Sequence, residues 1–280
     1  MFNIAMKTLL YDRLNTKLLE KKLEKSGTPS ILLMLRAGYN LYQLVKKKFD
    51  YDKIIAISGP GNNGGDAIAF SIQAKLNNEN ITFISLAKHK NHSKHLLLML
   101  KNIGLKENKF KKNFFISRKK ILIIDGILGI GISRKPRGEI AKTIRYINNL
   151  KKKNINIISI DIPSGLNPDT GIAYSDTILA NNTIMCLTRK QGCYTGDGIK
   201  YSGELFFTDL GITNSEKIQS TSYTLLDSEK KILIKRDKTF HKGKFGNVLI
   251  LGGWDNMPGA ANLSALAALK TGCGKVFVCN

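Results

Sequence analysis

The sequence predicts an α/β protein built on a mostly parallel β-sheet that helices cover on both faces. Short apolar runs with polar or glycine-containing flanks give the strand candidates, which are residues 53–58, 81–86, 121–125, 156–161, 183–187 and 204–208. Between them lie helical stretches at residues 67–76, 94–103 and 138–151. Short apolar strands joined by helices are typical of parallel sheets that are buried on both faces.

Two helices are predicted before the first strand. Residues 12–25 alternate leucine with charged residues at helical spacing, and a Ser-Gly-Thr-Pro break at residues 26–29 ends that helix. A second helix follows, with an apolar face that runs from Ile31 to Val45. Both helices are interpreted as packing elements, and Gly38 in the second would let it lie close to another backbone.

A glycine-rich loop follows the first strand of the predicted sheet. Residues 59–66 contain four glycines and a proline, which argues against a strand or helix interior there. A strand that leads into such a loop and then a helix is typical of phosphate and nucleotide sites. The dinucleotide motif requires an acidic residue after the second strand, and none is present; the P-loop requires Lys where Gly65 stands. The loop is therefore interpreted as a binding site for hydroxyls, amides and a cation. Asn62, Asn63 and Asp66 would offer their side-chain oxygens to these ligands.

Two further loops are expected beside this one, because ligands of parallel sheets bind at the carboxyl ends of the strands. Asp125 ends one strand, and the loop after it combines glycines with Arg134 and Lys135, which suits a diphosphate or another anion. Asp161 ends the next strand and begins a loop that contains Ser164. One such acid could simply form a turn, but two acids at equivalent positions beside the first loop favour a function.

The oxygen-bearing side chains of the three loops predict a cation site. Asn63, Asp125 and Ser164 would offer hard oxygen ligands that carry little negative charge. Such ligands suit an alkali or another hard cation and do not suit zinc or copper. His89, His92 and His95 recur every three residues and could hold a metal, but the lysines between them favour a solvated helix start.

The composition restricts the function classes. The 280-residue chain is 42% hydrophobic, so it can bury a core, and its formal net charge is +23. The basic residues form short clusters along the whole chain instead of one arm with interleaved aromatics, so we expect no nucleic acid partner. A basic field would still attract an anionic small molecule. Four cysteines without zinc spacing, no signal peptide and no long apolar run predict a cytoplasmic protein without a membrane span.

The order of the three loop motifs resembles the NAD(P)H-hydrate epimerase family. The resemblance covers about residues 10–213 and includes residues 33–38, but the asparagine-asparagine-glycine-glycine-aspartate motif at residues 62–66 is its most specific part. It implies a Rossmann-like three-layer sandwich and epimerisation of the R and S forms of hydrated NADH and NADPH, which is a metabolite-repair reaction. The substrate-binding residues that it implies are Asn62, Asn63, Gly64, Gly65, Asp66, Gly129, Ile130, Gly131, Ile132, Ser133, Arg134, Lys135 and Asp161.

The resemblance also implies a cofactor and catalytic residues. Asn63, Asp125 and Ser164 would hold potassium (K⁺). Epimerisation inverts a carbon that carries a hydroxyl and the ring nitrogen, by loss and return of water or by ring opening, and either route needs proton transfer to oxygen. Asp161 is the expected acid/base. Lys190 resembles a family lysine that would assist, although it could equally be one more surface lysine. The sequence leaves open whether the chain forms a homo-oligomer.

The C-terminal part of the sequence resembles a second family. Residues 214–240 are polar and lysine-rich and are expected to form a linker. Residues 241–280 contain a strand at 247–251, a helix at 261–270 and a strand at 275–279, and resemble the opening of the ADP- or ATP-dependent NAD(P)H-hydrate dehydratase domain, a ribokinase-like fold. Because about 40 residues can hardly bury a core of their own, we expect an incomplete domain without dehydratase activity.

A second function class also fits the motifs. A non-catalytic protein could keep the same pocket and use it to bind a nucleotide or to dock a partner. The presence of Asn63, Asp125 and Asp161 together favours the enzyme, because a binding protein would not need all three side chains.

Overall fold

The computed structural model describes residues 7–116, 119–150, 154–212, 220, 222–225, 241–254 and 256–279. The described residues up to 225 form one compact unit, and those from 241 onward form another. Most of the stretch predicted as a linker, residues 214–240, lies outside the description. Within it, residues 222–225 form a strand of the larger unit.

The larger unit alternates strands and helices after its first two helices. Its elements are β1 (Lys7–Leu10), α1 (Arg13–Lys25), α2 (Ser30–Lys48), β2 (Lys53–Ser58), α3 (Asn62–Leu76), β3 (Ile81–Ser85), α4 (Asn91–Asn102), β4 (Glu107–Asn108), β5 (Ile121–Gly126), α5 (Gly138–Asn148), β6 (Ile155–Ile160), β7 (Asn182–Cys186), α6 (Gly198–Tyr201), β8 (Glu204–Thr208) and β9 (Ser222–Leu225). The six predicted strands are confirmed, each to within one residue of its bounds.

Seven of these strands form one parallel sheet in the order β4-β3-β2-β5-β6-β7-β8, and β1 pairs with β9 in a separate antiparallel ribbon. Apolar side chains fill both faces of the sheet. One core contains residues of α1 to α4, and the other contains residues of α5 and Phe115. The predicted α/β fold is therefore confirmed. The chain runs outward in both directions from the centre of the sheet, so the loops after β2 and β5 border the crevice where ligands bind in such folds.

The start of α3 differs from the prediction. The helix begins at Asn62 and not at residue 67, so the asparagines and glycines of the motif form its first turns. Gly61 supplies the turn from strand to helix with a φ of 91°, which a residue with a side chain rarely adopts. A Cβ on Gly64 would lie 2.0 Å from the Gly59 carbonyl oxygen, so glycine is needed for the helix to start this close to β2.

Helices α2 and α3 pack backbone to backbone. Gly38 of α2 faces α3, and a Cβ there would lie 2.4 Å from the carbonyl carbon of Ala69 and 2.6 Å from the amide nitrogen of Phe70. The predicted role of Gly38 in close helix packing is confirmed. This contact fixes α2 against the helix that begins with the asparagine motif.

The smaller unit is one strand–helix–strand repeat. It contains β10 (Asn247–Leu251), α7 (Gly259–Thr271) and β11 (Lys275–Cys279), and the two strands pair in parallel. Gly272 ends the helix in the left-handed conformation. Several apolar side chains of this smaller unit are exposed, among them Leu249, Leu263 and Phe277. In the described part of the chain, no helix combines the length and the apolar character that a membrane span requires.

We expect Gly38→Ala to lower the free energy of unfolding by about 1 to 3 kcal/mol, because the added methyl group has to push α2 away from α3. Urea denaturation followed by circular dichroism measures this. Gly131→Ala is the control, since a Cβ there meets open space. If Gly38→Ala instead stabilises the protein, as the helix propensity of alanine alone would predict, the contact is not tight.

Candidate active site

The structure brings the three predicted loops together at the carboxyl end of the sheet. Ile57 of β2 is in register with Asp125 of β5, which is in register with Ser159 of β6. The Gly59 amide donates to the Gly126 carbonyl oxygen at 3.1 Å. A Cβ on Gly59 would lie 2.0 Å from the carbonyl oxygen of Ile127, so the first two loops touch through their backbones.

Asp125 and Ser164 form a buried polar cluster between the second and third loops. The Ser164 hydroxyl donates to Asp125 Oδ1 at 2.5 Å, and the Ser164 amide donates to Asp125 Oδ2 at 3.0 Å. The Ser159 hydroxyl and the Ile127 amide complete the donors to this carboxylate. Burial raises the pKa of Asp125, and the hydrogen bonds from Ser164 and Ser159 act in the opposite direction. These donors therefore favour the charged form of Asp125, which burial alone disfavours.

Asn63 joins this cluster through the Leu128 carbonyl. Asn63 Nδ2 donates to Leu128 O at 2.9 Å, and Ser164 Oγ lies 3.1 Å from the same oxygen. Asn63 Oδ1 is buried, yet no group of the described residues donates a hydrogen bond to it. A buried acceptor without a donor is costly unless something else, such as a cation, meets it.

A second group of residues lines a cleft between the sheet edge and the first two helices. Asp161 and Lys190 lie on the sheet side, and Asn62 and Asp66 come from α3. The remaining lining residues are Glu20, Ser30, Leu33, Met34, Ala37, Cys186, Leu187 and Leu210. Helices α1 and α2 thus form a wall of the site, and their interpretation as packing elements alone is incomplete. Glu20 in particular was missed, because a glutamate among lysines and leucines reads as part of a solvated helix face.

Asp161 and Lys190 form an ion pair at the bottom of the cleft. Lys190 Nζ also donates to the carbonyl oxygens of Cys186 at 2.7 Å and Thr188 at 3.0 Å. An ammonium group has three donors, so all of them are occupied. Asp161 Oδ1 additionally accepts from the Cys186 amide at 3.1 Å. Lys190 is only 1% exposed, which removes its interpretation as one more surface lysine.

The backbone at this ion pair is strained. Asp161 has a φ of 69° and Leu187 a φ of 65°, and neither is a glycine. Both residues were predicted to end their strands, but each lies one residue beyond its strand in the left-handed conformation. Residues other than glycine in this conformation cost energy and occur preferentially at functional sites.

The loop of residues 129–135 touches the polar cluster but does not line the cleft. A Cβ on Gly129 would lie 2.8 Å from Asn63 Cβ. The Ile132 side chain is buried, and its amide and carbonyl are hydrogen-bonded to Gly129 and Arg13, whereas the Ile130 side chain is partly buried against a core. Ser133, Arg134 and Lys135 are exposed. The predicted site residues therefore fall into two groups, one around Asp161 and one around Asn63 and this loop.

The histidine hypothesis receives no support. His89 Nε2 lies 3.0 Å from the Ser85 hydroxyl, which makes it a structural residue at the end of β3. Among the described residues, no three or more His, Cys, Asp and Glu side chains gather in a way that could hold a metal ion. A potassium site built from amide, hydroxyl and carbonyl oxygens with one carboxylate is outside that type of site.

We expect Lys190→Met to lower the free energy of unfolding by about 3 to 5 kcal/mol, because it removes the ammonium group that pairs with the Asp161 carboxylate and donates to the carbonyl oxygens of Cys186 and Thr188. Urea denaturation measures this loss. Lys142→Met, an exposed position on α5, should change stability by no more than about 0.5 kcal/mol. A loss at Lys190 of only about 1 kcal/mol would mean that the pair behaves like a surface ion pair.

Comparisons with known proteins agree with this architecture. A "Bifunctional NAD(P)H-hydrate repair enzyme Nnr" from Dictyoglomus turgidum is 38% identical over 276 residues, which is 94% of this chain and 52% of that protein. The namesake from Escherichia coli is 31% identical over 252 residues, 88% of this chain and 48% of that protein. The chain thus spans about half the length of these bifunctional relatives.

A shorter relative matches along most of its own length. The "NAD(P)H-hydrate epimerase" of Weissella koreensis is 32% identical over 190 residues, 66% of this chain and 83% of that protein. The crystal structure of yeast ynu0, YNL200c, has the same fold, with a TM-score of 0.63 over 78% of this chain and 99% of that one, at 18% identity. Residues 30–192 match the family described as YjeF-related protein N-terminus. With α3, the polar cluster and the Asp161–Lys190 pair all inside that match, the chain belongs to the YjeF-related N-terminal family.

Proposed function

We propose that this protein epimerises the R and S forms of hydrated NADH and NADPH. The observation that carries the proposal is the Asp161 carboxylate, which an ion pair and a strained backbone hold at the bottom of a cleft lined by the asparagine motif. The printed names of relatives from Weissella koreensis and Dictyoglomus turgidum support the same reaction. The simplest test mixes purified protein with an R/S mixture of hydrated NADPH and follows epimer exchange.

Asp161 is the proposed acid/base of the reaction. Its Oδ1 atom is occupied by Lys190 and the Cys186 amide, whereas no group of the described residues donates a hydrogen bond to Oδ2. Oδ2 is therefore the atom that can exchange a proton with the substrate hydroxyl. Because Lys190 has no donor left, we propose that it acts through Asp161 by keeping that carboxylate charged and in place.

The proposed substrate contacts divide between the two groups of residues. Asn62, Asp66 and Asp161 would bind the reacting ring end, because they line the cleft. The glycines at positions 64 and 65 would let the substrate approach the start of α3. Arg134 and Lys135 would meet the diphosphate, since they are exposed cations on the loop that contacts Asn63.

The polar cluster fits a potassium ion. The unpartnered Asn63 Oδ1, the Asp125 carboxylate and the Ser164 hydroxyl are hard oxygen ligands with one negative charge in total. A bound K⁺ would supply positive charge beside the buried carboxylate. Through the bound ion, these residues would fix the positions of the first two loops relative to each other, and with them the position of the asparagine motif.

We further propose that residues 1–213 form the epimerase domain, to whose compact unit the strand at residues 222–225 is added, and that residues 241–280 correspond to the opening of a dehydratase-like domain. A cytoplasmic location is proposed with it, because all four cysteines are free thiols, as is usual in a reducing compartment.

We expect Asp161→Asn to lower the epimerisation rate at least about 100-fold, because the amide cannot exchange a proton with the substrate oxygen. The measurement is epimer exchange of hydrated NADPH, with circular dichroism to confirm folding. Asp50→Asn is the control, since Asp50 precedes β2 and lies at the opposite end of the strands. A wild-type rate in Asp161→Asn would remove Asp161 from the mechanism, whereas a wild-type protein that exchanges no epimers would leave the non-catalytic binding protein as the better hypothesis.

Replacing Asn63 with alanine should weaken potassium binding, because it removes the carbonyl oxygen that has no other partner. Thallium NMR with Tl⁺ as a substitute for K⁺ measures binding directly, and epimer exchange in K⁺ against Li⁺ buffer measures its effect on rate. Asn102→Ala at the end of α4 is the matched control. Equal Tl⁺ binding by wild type and Asn63→Ala would contradict the proposed ion site.

A further inference from the structure

The cleft contains more negative than positive groups. Three carboxyl groups line it, Glu20 from α1, Asp66 from α3 and Asp161 after β6, and the single cation among the described lining residues is Lys190. Lys190 is committed to Asp161 and to two backbone carbonyls. Glu20 and Asp66 therefore have no cation of their own in the cleft. Burial and neighbouring negative charge both favour the protonated form of a carboxyl group.

Asp66 is the group that fits this role. Asp161 has the Lys190 ammonium and the Cys186 amide as donors. Burial raises the pKa of Glu20, and Lys190 and Lys17, one turn earlier on the same helix, lower it in part. No group of the described residues donates a hydrogen bond to the Asp66 carboxyl. Burial raises the pKa of Asp66 well above its usual range, the charges of Asp161 and Glu20 raise it further, and Lys190 lowers it only in part.

Building on the proposed function, we propose that Asp66 is the neutral carboxylic acid that protonates the substrate hydroxyl, and that Glu20 is the positioning residue that keeps the proton on Asp66. The sequence motif assigned Asp66 to substrate binding alone, and Glu20 belongs to none of the motifs. Two carboxyls whose environments favour opposite protonation states are the arrangement that acid/base catalysis requires. Asp161 is then the base and Asp66 the acid.

The proposed step balances in protons and electrons. The Asp66 proton moves to the hydroxyl oxygen of the hydrated carbon, the carbon–oxygen bond breaks, and water leaves with the bonding electron pair. The lone pair of the ring nitrogen forms a carbon–nitrogen double bond, so the ring carries one positive charge. Water then adds to the other face, the double-bond electrons return to nitrogen, and the added water releases a proton to Asp161. Exchange with solvent returns the proton to Asp66.

Two substitutions and one control test this assignment by pH–rate profiles of epimer exchange. We expect Asp66→Asn to lower the rate at least about 100-fold, because the amide has no acidic proton to give. Activity of the wild type should fall as pH rises through the pKa of Asp66. Glu20→Gln removes a negative charge that raises this pKa, so the alkaline limb of the profile should move to lower pH. Glu24→Gln removes the same charge from an exposed position of α1, and its profile should match the wild type.

An infrared spectrum of the ligand-free, full-length protein gives a readout that does not depend on activity. At neutral pH, the band of a protonated carboxyl should be present in the wild type and absent in Asp66→Asn, and in Glu20→Gln it should disappear at lower pH than in the wild type. An active wild type without this band, or Glu20→Gln with an unshifted profile, would overturn the inference. A wild type that shows the band but exchanges no epimers would overturn the proposed function and still support the neutral state of Asp66.

Discussion

The buried Asp125 carboxylate connects the parts of this site. Its two oxygens accept hydrogen bonds from a strand residue, Ser159, and from two loops, through Ile127 and Ser164. Since a buried carboxylate requires such donors, the loops after β5 and β6 are fixed relative to each other. The Leu128 carbonyl extends this network to Asn63 at the start of α3. The buried Asp125 carboxyl thus connects the second and third loops with the first turn of α3.

The Asp161–Lys190 pair is a second place where buried charged groups are stabilised by hydrogen-bond partners. A fully buried lysine is tolerated because a carboxylate and two carbonyl oxygens surround its ammonium group. Two residues in the left-handed conformation bring these partners together. This conformation costs backbone energy, and residues other than glycine that adopt it occur preferentially at functional sites.

The sequence was sufficient to predict the sheet and the convergence of three loops, because apolar runs and the carboxyl-end rule depend on local composition and topology. It misplaced the start of α3, since glycine was taken as a helix breaker and its role in close packing against β2 depends on tertiary contact. Glu20 could not be found, because only the fold shows that this residue of α1 lines the cleft. The two-residue strand β4 and the ribbon of β1 with β9 also depend on pairing between distant residues and carry no local signal.

Negative and positive side chains are separated around the site, although the formal net charge of the chain is +23. The cleft is acidic, whereas Arg134 and Lys135 stand exposed on the loop beside Asn63. The proposed substrate has opposite requirements at its two ends, since its ring gains positive charge during the reaction and its diphosphate is anionic. A site that is uniformly basic would bind the diphosphate and destabilise the charged ring. Carboxyls in the cleft and cations on the adjoining loop would suit both ends of the proposed substrate.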